Sequence, residues 1–173
     1  IEKPLSGREI WVSGSEGKAF SNLDQYAPEN TLAVDFLVEK VNQNPGQIEV
    51  IAIGPLSNIA SAIHQSESFA TNVKRLWIMG GDFTKDKTEH NFKCDVAAAK
   101  IVLESNILIT ILDLPSSQKT IIKKDEIEKI KSSGKLGPTL HSEILNWIQP
   151  RQQDWTTPHD PIAVLAMLTP EFF

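Results

Sequence analysis

The stretch IEVIAIGPLSNIASAIH, residues 48–64, joins two apolar segments of different spacing through a glycine and a proline. Its first seven residues are rich in β-branched side chains and end at Gly54, which is typical of a buried strand followed by a turn. Pro55 comes next and suits the first turn of a helix, where a backbone N–H is not needed. The stretch therefore predicts a strand, a tight turn and a helix.

The same alternation continues on both sides of this unit. Apolar runs that end at glycine or aspartate predict two further strands, and apolar residues at helical spacing predict helices around them. The strand runs are VKRLWIMGG (73–81) and NILITILDLP (106–115), and the helical segments are PENTLAVDFLVEKVNQNP (28–45), DVAAAKIVLES (95–105), KKDEIEKIKSSG (123–134), GPTLHSEILNWIQP (137–150) and a last helix that begins at Pro161. This order predicts a three-layer α/β fold, in which a mostly parallel, Rossmann-like sheet has helices on both faces.

The size and composition of the chain narrow the classes of protein to which it can belong. A length of 173 residues, of which 40% are hydrophobic, suits one domain over residues 1–173 with one core. The 17 basic and 22 acidic residues give a net charge of −5, which argues against nucleic acid or an anionic membrane as a partner.

The cysteine content and the two ends of the chain suggest its setting. Cys94 is the only cysteine, so no internal disulfide can form, and a reducing, cytoplasmic setting is expected. No apolar run approaches the roughly 20 residues that a membrane span needs. The chain starts at Ile1 without Met and stops soon after an apolar helix pattern, so we expect a domain that is incomplete at both ends.

A parallel sheet of this kind binds ligands beyond the carboxyl ends of its strands. The expected site therefore lies near Gly54, residues 79–81 and Asp113. The sequence has neither G-x-G-x-x-G after a strand nor G-x-x-x-x-G-K-[ST], which disfavours a dinucleotide or a nucleoside triphosphate. It also lacks G-x-S-x-G, so Ser57 and Asn58 in GPLSN are predicted to hydrogen-bond backbone at a helix start.

Polar residues in two segments each allow two interpretations. Glu89 and Asn91, two residues apart in TEHNFKCD (88–95), would point the same way in an extended loop and suit sugar hydroxyls, or would belong to a solvated loop. Asp160, which precedes a proline, suits the N-cap of the last helix with His159 as a surface imidazole, or forms a functional pair with His159. Asp95 is predicted to cap the helix that follows it.

Five motifs carry a resemblance to a known family. Taken in chain order and at these spacings, AIGPLSNIA, WIMGGD, EHNFKCDVAAAKIV, ILDLP and HDPIAV resemble the nucleoside hydrolases that prefer inosine and uridine. The resemblance implies an α/β fold around a mostly parallel sheet. It also implies hydrolysis of the N-glycosidic bond of ribonucleosides to ribose and free base, through a water activated by one bound Ca²⁺, in purine and pyrimidine nucleoside salvage. A small-molecule nucleoside is then the partner, and a homo-oligomer stays open.

The resemblance also implies roles in substrate binding and catalysis. Glu89 and Asn91 would bind ribose hydroxyls, and Met79 would line the sugar pocket. His159 would lie near the leaving base, as a substrate-binding residue and a candidate general acid that can work near neutral pH.

For the metal, the resemblance implies two ligands in this chain. Asp160 would bind Ca²⁺ through its carboxylate and Ile53 through its backbone carbonyl. The family's D-x-D-x-x-x-D-D cluster, which supplies most of the calcium carboxylates, is not in this sequence. The calcium site of this chain is therefore expected to be incomplete.

Other positions depart from the family pattern and motivate alternatives. VSGSEG (12–17) resembles the family's H-G-x-D-G loop, but Ser13 replaces the histidine and Glu16 the aspartate. The alternative function is a degenerate, non-catalytic nucleoside hydrolase-like binding or interaction module, and whether this chain alone is active stays open. A nucleotide-binding regulatory domain of doubly wound type rests on fold analogy alone, and the missing phosphate loops count against it.

Overall fold

The computed structural model describes residues 14, 17–21, 23–84 and 89–172, so Ser13 and Glu16 lie outside the described residues. Two compact units are present. The first comprises residues 29–117 and 159–172, and the second comprises residues 118–158 with the described residues before 29. The prediction of a single domain, incomplete at both ends, stays a prediction.

Strands and helices alternate along the described chain. The strands are β1 (Glu49–Ala52), β2 (Arg75–Met79), β3 (Ile109–Leu112), β4 (Ile122–Lys123) and β5 (Trp155–Thr156). The helices are α1 (Ala33–Gln43), α2 (Ser57–Gln65), α3 (Phe69–Asn72), α4 (His90–Cys94), α5 (Val96–Leu103), α6 (Leu114–Ser117), α7 (Lys124–Ile130), α8 (Gly137–Ile148) and α9 (His159–Leu168). Short 3₁₀ turns are Leu23–Gln25, Gln149–Arg151 and Pro170–Phe172.

The first unit is built on a parallel sheet with the order β1-β2-β3. Ala52 pairs with Ile78, and Ile78 pairs with Ile111, so the three strands end at one common edge. Because side chains alternate between the faces of a strand, each strand contributes apolar residues to both sides. The predicted parallel sheet is therefore confirmed.

One face of the sheet carries the main core of this unit. Leu76 and Ile78 of β2 are 1% exposed and pack in one cluster with α1, α2 and α5. The fully buried members of these helices are Val41, Ala60, Ala62, Ala98 and Val102. Removing water from this surface stabilises the unit by about 25 cal/mol for each Å² of apolar area.

The opposite face is covered by α9, which contacts β2 and β3. Its buried side chains are Ile162, Ala163 and Ala166. A cavity of about 260 Å³ remains between Ala163 and Ala166 and the strands, beside Trp77 and Thr110. Helices thus lie on both faces, as the alternation of strands and helices predicts.

The second unit is a small helical layer with a two-stranded antiparallel sheet, in which Ile122 pairs with Thr156. Glu126 accepts a hydrogen bond from the Lys123 N–H at 2.9 Å and so caps α7. The helix α8 packs against α7 and β5, and its Glu143 accepts from the backbone N–H of Ala19 at 2.5 Å.

Three local predictions are corrected by the structure. TEHNFKCD is not an extended loop, because Glu89 caps the short helix α4. The last helix begins at His159 instead of Pro161, so Asp160 is its second residue and not its N-cap. The Ser57 hydroxyl donates to the carboxylate of Asp95 at 2.6 Å and not to nearby backbone.

Candidate functional site

Two residues of the predicted site lie at the edge where β1, β2 and β3 end. Met79 is the last residue of β2 and is 3% exposed, and Ile53 directly follows β1 with 47% of its surface exposed. The loops after β2 and β3 are tied together, since the Gly80 N–H donates to the Leu112 carbonyl at 3.2 Å and the Leu114 N–H donates to the Gly81 carbonyl at 2.8 Å. Chain segments that are distant in sequence therefore meet at this edge.

Glu89 is buried at this edge and holds backbone in place. Its carboxylate accepts from the N–H groups of Gly81 at 2.9 Å, Asn91 at 2.8 Å and Phe92 at 3.1 Å. A carboxylate offers about four acceptor positions, so about one is left for a ligand hydroxyl. Glu89 is thus first a capping residue, and its predicted contact with ribose uses the position that remains.

Steric constraints require glycine at both positions after β2. Gly81 has a φ of 82°, which favours glycine. A side chain at Gly80 would place its Cβ 2.7 Å from the Phe92 ring and 3.3 Å from Glu89 Oε2. Gly81 therefore supplies the positive φ of the turn after β2, and Gly80 lets α4 lie against the end of β2.

Asn91 has its amide fixed by the end of β2. Its Nδ2 donates to the Met79 carbonyl at 3.0 Å and lies 3.5 Å from Met79 Sδ. The side-chain oxygen of Asn91 has no hydrogen-bond partner among the described residues. Asn91 and Met79, both predicted as substrate-binding residues, are thus in contact, and one acceptor remains available to a hydroxyl.

His159 and Asp160 lie in the first turn of α9, and both are partly buried. Burial lowers the pKa of His159, and the negative charges of Asp160 and Glu89 oppose that shift. Burial also raises the pKa of Asp160, with Glu89 adding to the shift and His159 opposing it. His159 and Asp160 thus each affect the pKa of the other, and the charge of Glu89 acts on both.

One contact of this site has no signal in the sequence. Nδ1 of His159 lies 2.7 Å from Oγ of Ser117, which is fully buried at the end of α6. The four-residue helix α6 is too short to show a period, so LPSS reads as a turn.

Three other residues lie in helices or at the start of one. Asp95 is fully buried and accepts from the Ala98 N–H at 3.1 Å, which confirms it as the N-cap of α5. His64 and His141 lie in α2 and α8, as predicted. Within the described chain, no hydrogen bond or electrostatic interaction joins Ile53 to Asp160.

A calcium ion requires more oxygen ligands than the described residues provide. The described residues contain no group of three or more His, Cys, Asp or Glu side chains that could hold a metal. Calcium takes six to eight oxygen ligands, several of them carboxylates. The carboxylate of Asp160, even if both its oxygens bound the ion, and the Ile53 carbonyl would supply three oxygens at most, so the described residues do not form a calcium site by themselves.

The parallel sheet and the polar site at its carboxyl edge define an α/β protein of the class that binds small ligands beyond its strand ends. The family model "Inosine-uridine preferring nucleoside hydrolase" matches residues 2–173. The chain belongs to this family, as its five motifs predict.

Individual relatives agree with this assignment. The chain is 34% identical to "Probable uridine nucleosidase 2" and 31% identical to "Probable uridine nucleosidase 1", both of Oryza sativa subsp. japonica, over 99% of its own length. It spans 56% and 58% of their lengths. A solved structure described as "Plant nucleoside hydrolase - PpNRh1 enzyme" superposes with a TM-score of 0.80 at 26% identity, covering 90% of this chain and 52% of that one.

No helix in the part of the chain that the structure describes has the length and apolar character needed to cross a bilayer.

Proposed function

We propose that this chain carries part of the active site of a ribonucleoside hydrolase, which releases ribose and the free base in cytoplasmic salvage of purine and pyrimidine nucleosides. The observation that supports it best is the contact geometry at the carboxyl edge of the sheet, where Asn91 is held by the Met79 carbonyl and Glu89 by the Gly81 N–H, so that acceptor positions of both side chains remain for ribose hydroxyls. A small-molecule nucleoside is the proposed partner, and a homo-oligomer stays open.

The reaction breaks the bond between C1′ of the ribose and a nitrogen of the base. The bonding electrons leave with the base, which takes up a proton, and water adds to C1′ and gives up a proton. Because the sugar becomes oxocarbenium-like on the way, the site must hold the ribose hydroxyls and protonate the departing base.

The proposed roles follow from the groups that remain available. The free acceptor of Asn91 and the remaining acceptor position of Glu89 would each take a hydrogen bond from a ribose hydroxyl. Met79, whose carbonyl already holds Asn91, would line the sugar pocket. His159 would give the proton to the base from its protonated form.

We propose that this chain supplies only some of the ligands of a calcium ion. Asp160 would supply a carboxylate and Ile53 a backbone carbonyl, and further oxygen ligands would have to come from residues outside those that the structure describes. When bound, a calcium ion would lower the pKa of a water molecule attached to it and orient that water.

The experiment that tests the proposal measures free base. Uridine is the first substrate because the two rice relatives are named as probable uridine nucleosidases. We expect a protein in which this chain is joined to the family's D-x-D-x-x-x-D-D cluster, incubated with uridine and Ca²⁺, to release uracil measurable by chromatography. His159→Gln should lower the rate by roughly 10²-fold or more, as loss of a general acid does.

The matched control is His64→Gln, because His64 is an exposed histidine of α2. It should leave the rate unchanged. A His159→Gln rate equal to wild type would remove His159 from the mechanism. Failure of the protein that contains both this chain and the aspartate cluster to release uracil, with its fold intact by circular dichroism, would favour the non-catalytic binding module.

A further inference from the structure

Ser117 is a fully buried polar residue that the proposed reaction does not use directly. Its Oγ lies 2.9 Å from the Leu114 carbonyl and 2.7 Å from Nδ1 of His159. The two helices that carry this contact, α6 and α9, pack against each other.

The two contacts of Ser117 can both be hydrogen bonds at the same time in only one arrangement of protons. A serine hydroxyl has one proton to donate, and a carbonyl can only accept. The Ser117 hydroxyl therefore donates to Leu114, and the bond to His159 forms only if Nδ1 of His159 carries the donated proton. Neutral His159 is then the Nδ1–H tautomer, with its lone pair on Nε2.

Both partners are held by ordered structure. Asp113, directly after β3, accepts from the Ser116 N–H at 2.9 Å through its side chain and from the Ser117 N–H at 3.0 Å through its carbonyl. The helix α9 is anchored on the other side by Ile162, which is buried. Both residues of the contact therefore lie in helices that are fixed to the sheet.

We propose that Ser117 is a positioning residue, which holds the His159 ring in the Nδ1–H tautomer and leaves Nε2 as the nitrogen that faces a nucleoside. Nε2 has no hydrogen-bond partner among the residues the structure describes. The role toward a nucleoside rests on the proposed function, whereas the tautomer does not.

The tautomer can be read directly by ¹⁵N NMR of the histidine rings, without nucleoside, at a pH where the imidazoles are neutral. The His159 signals are assigned by their loss in His159→Gln. We expect wild type and Ser117→Thr, which keeps a hydroxyl, to show a protonated Nδ1. Ser117→Ala should lose this preference, and Ser116→Ala, a change at the exposed neighbour, should keep it.

Two results would overturn the proposal: a wild-type His159 protonated on Nε2, or an Nδ1–H form that persists in Ser117→Ala. If Ser117→Ala fails to fold, a wild-type His159 protonated on Nε2 still overturns the proposal, and Ser117→Thr still tests whether a hydroxyl at this position keeps the Nδ1–H form. Because no substrate is present, the result is separate from the test of uridine hydrolysis.

A kinetic readout applies when uracil release is detected. Ser117→Ala should lower kcat about tenfold, which corresponds to the loss of one hydrogen bond, with KM little changed. The same variant should cleave a riboside with an acidic nitrophenol leaving group at the wild-type rate, because that group departs without a proton. Equal losses on both substrates would point to general damage to the fold and would contradict the positioning role.

Discussion

Two acidic residues of the first unit, Glu49 and Glu89, use their carboxylates in different ways. Glu49 of β1 accepts from Nζ of Lys74 at 2.6 Å and from Nε1 of Trp77 at 2.7 Å. These hydrogen bonds lower the pKa of Glu49 below its usual value of 4.5. Glu89, in contrast, accepts only backbone N–H groups in its described bonds, and so it fixes the chain instead of pairing with a cation.

The lowered pKa of Glu49 predicts a dependence of stability on pH. Wild type should be more stable than Glu49→Gln by about 0.5 kcal/mol at pH 7, as expected for a partly exposed ion pair. The ionised carboxylate stabilises the folded state above pH 4.5, and the advantage is lost as the pH falls through the lower pKa of the folded protein.

Urea denaturation of both proteins at several pH values measures this difference. Glu67→Gln, at an exposed position, is the control and should match wild type at neutral pH. A Glu49→Gln difference that grows as the solution is acidified would refute the assignment.

At the scale of elements, short helices are held to the sheet by buried polar contacts. The N-terminal ends of α2 and α5 are joined because Ser57, the first residue of α2, donates to the carboxylate of Asp95, the N-cap of α5. Each of these helices also packs on the apolar face of the sheet. The contact therefore sets how the two helix ends meet beside the strand ends.

Ser57→Ala should destabilise the chain by about 2 kcal/mol, because a buried carboxylate loses a hydroxyl donor. The free energy of unfolding in urea measures the loss. Ser61→Ala lies in the same helix, where Ser61 makes no described hydrogen bond, and it should stay within about 0.5 kcal/mol of wild type. Equal effects of the two changes would show that the Ser57–Asp95 bond contributes little.

At the scale of the whole molecule, the described residues leave the calcium site incomplete. We expect 1 mM Ca²⁺ to raise Tm by less than about 1 °C, because stabilisation by a ligand requires a concentration above its Kd. Thermal unfolding with and without Ca²⁺ measures the shift. A rise of several degrees that Asp160→Ala removes, and that exposed Asp154→Ala keeps, would show that residues outside the described ones complete the site.

The longer elements could be predicted because their patterns are local. The apolar runs and helical spacings predict β1, β2 and β3 and the longer helices, each within a few residues of its observed bounds. The short helices α3, α4 and α6 cannot be predicted in this way, because four or five residues do not complete enough turns to show a period. The predicted start of α9 lies two residues after the observed one, because Asp160 and the proline after it resemble an N-cap and first helical residue.

The sequence by itself determined the type and order of the longer elements, the parallel sheet, the family and the edge at which a site would lie. Only the tertiary structure decided which side chains meet there: His159 with Ser117, 42 residues apart, and Ser57 with Asp95, 38 residues apart. The physical reason is range. Strand and helix propensities act between neighbours in the chain, whereas these hydrogen bonds depend on where separate strands end in space.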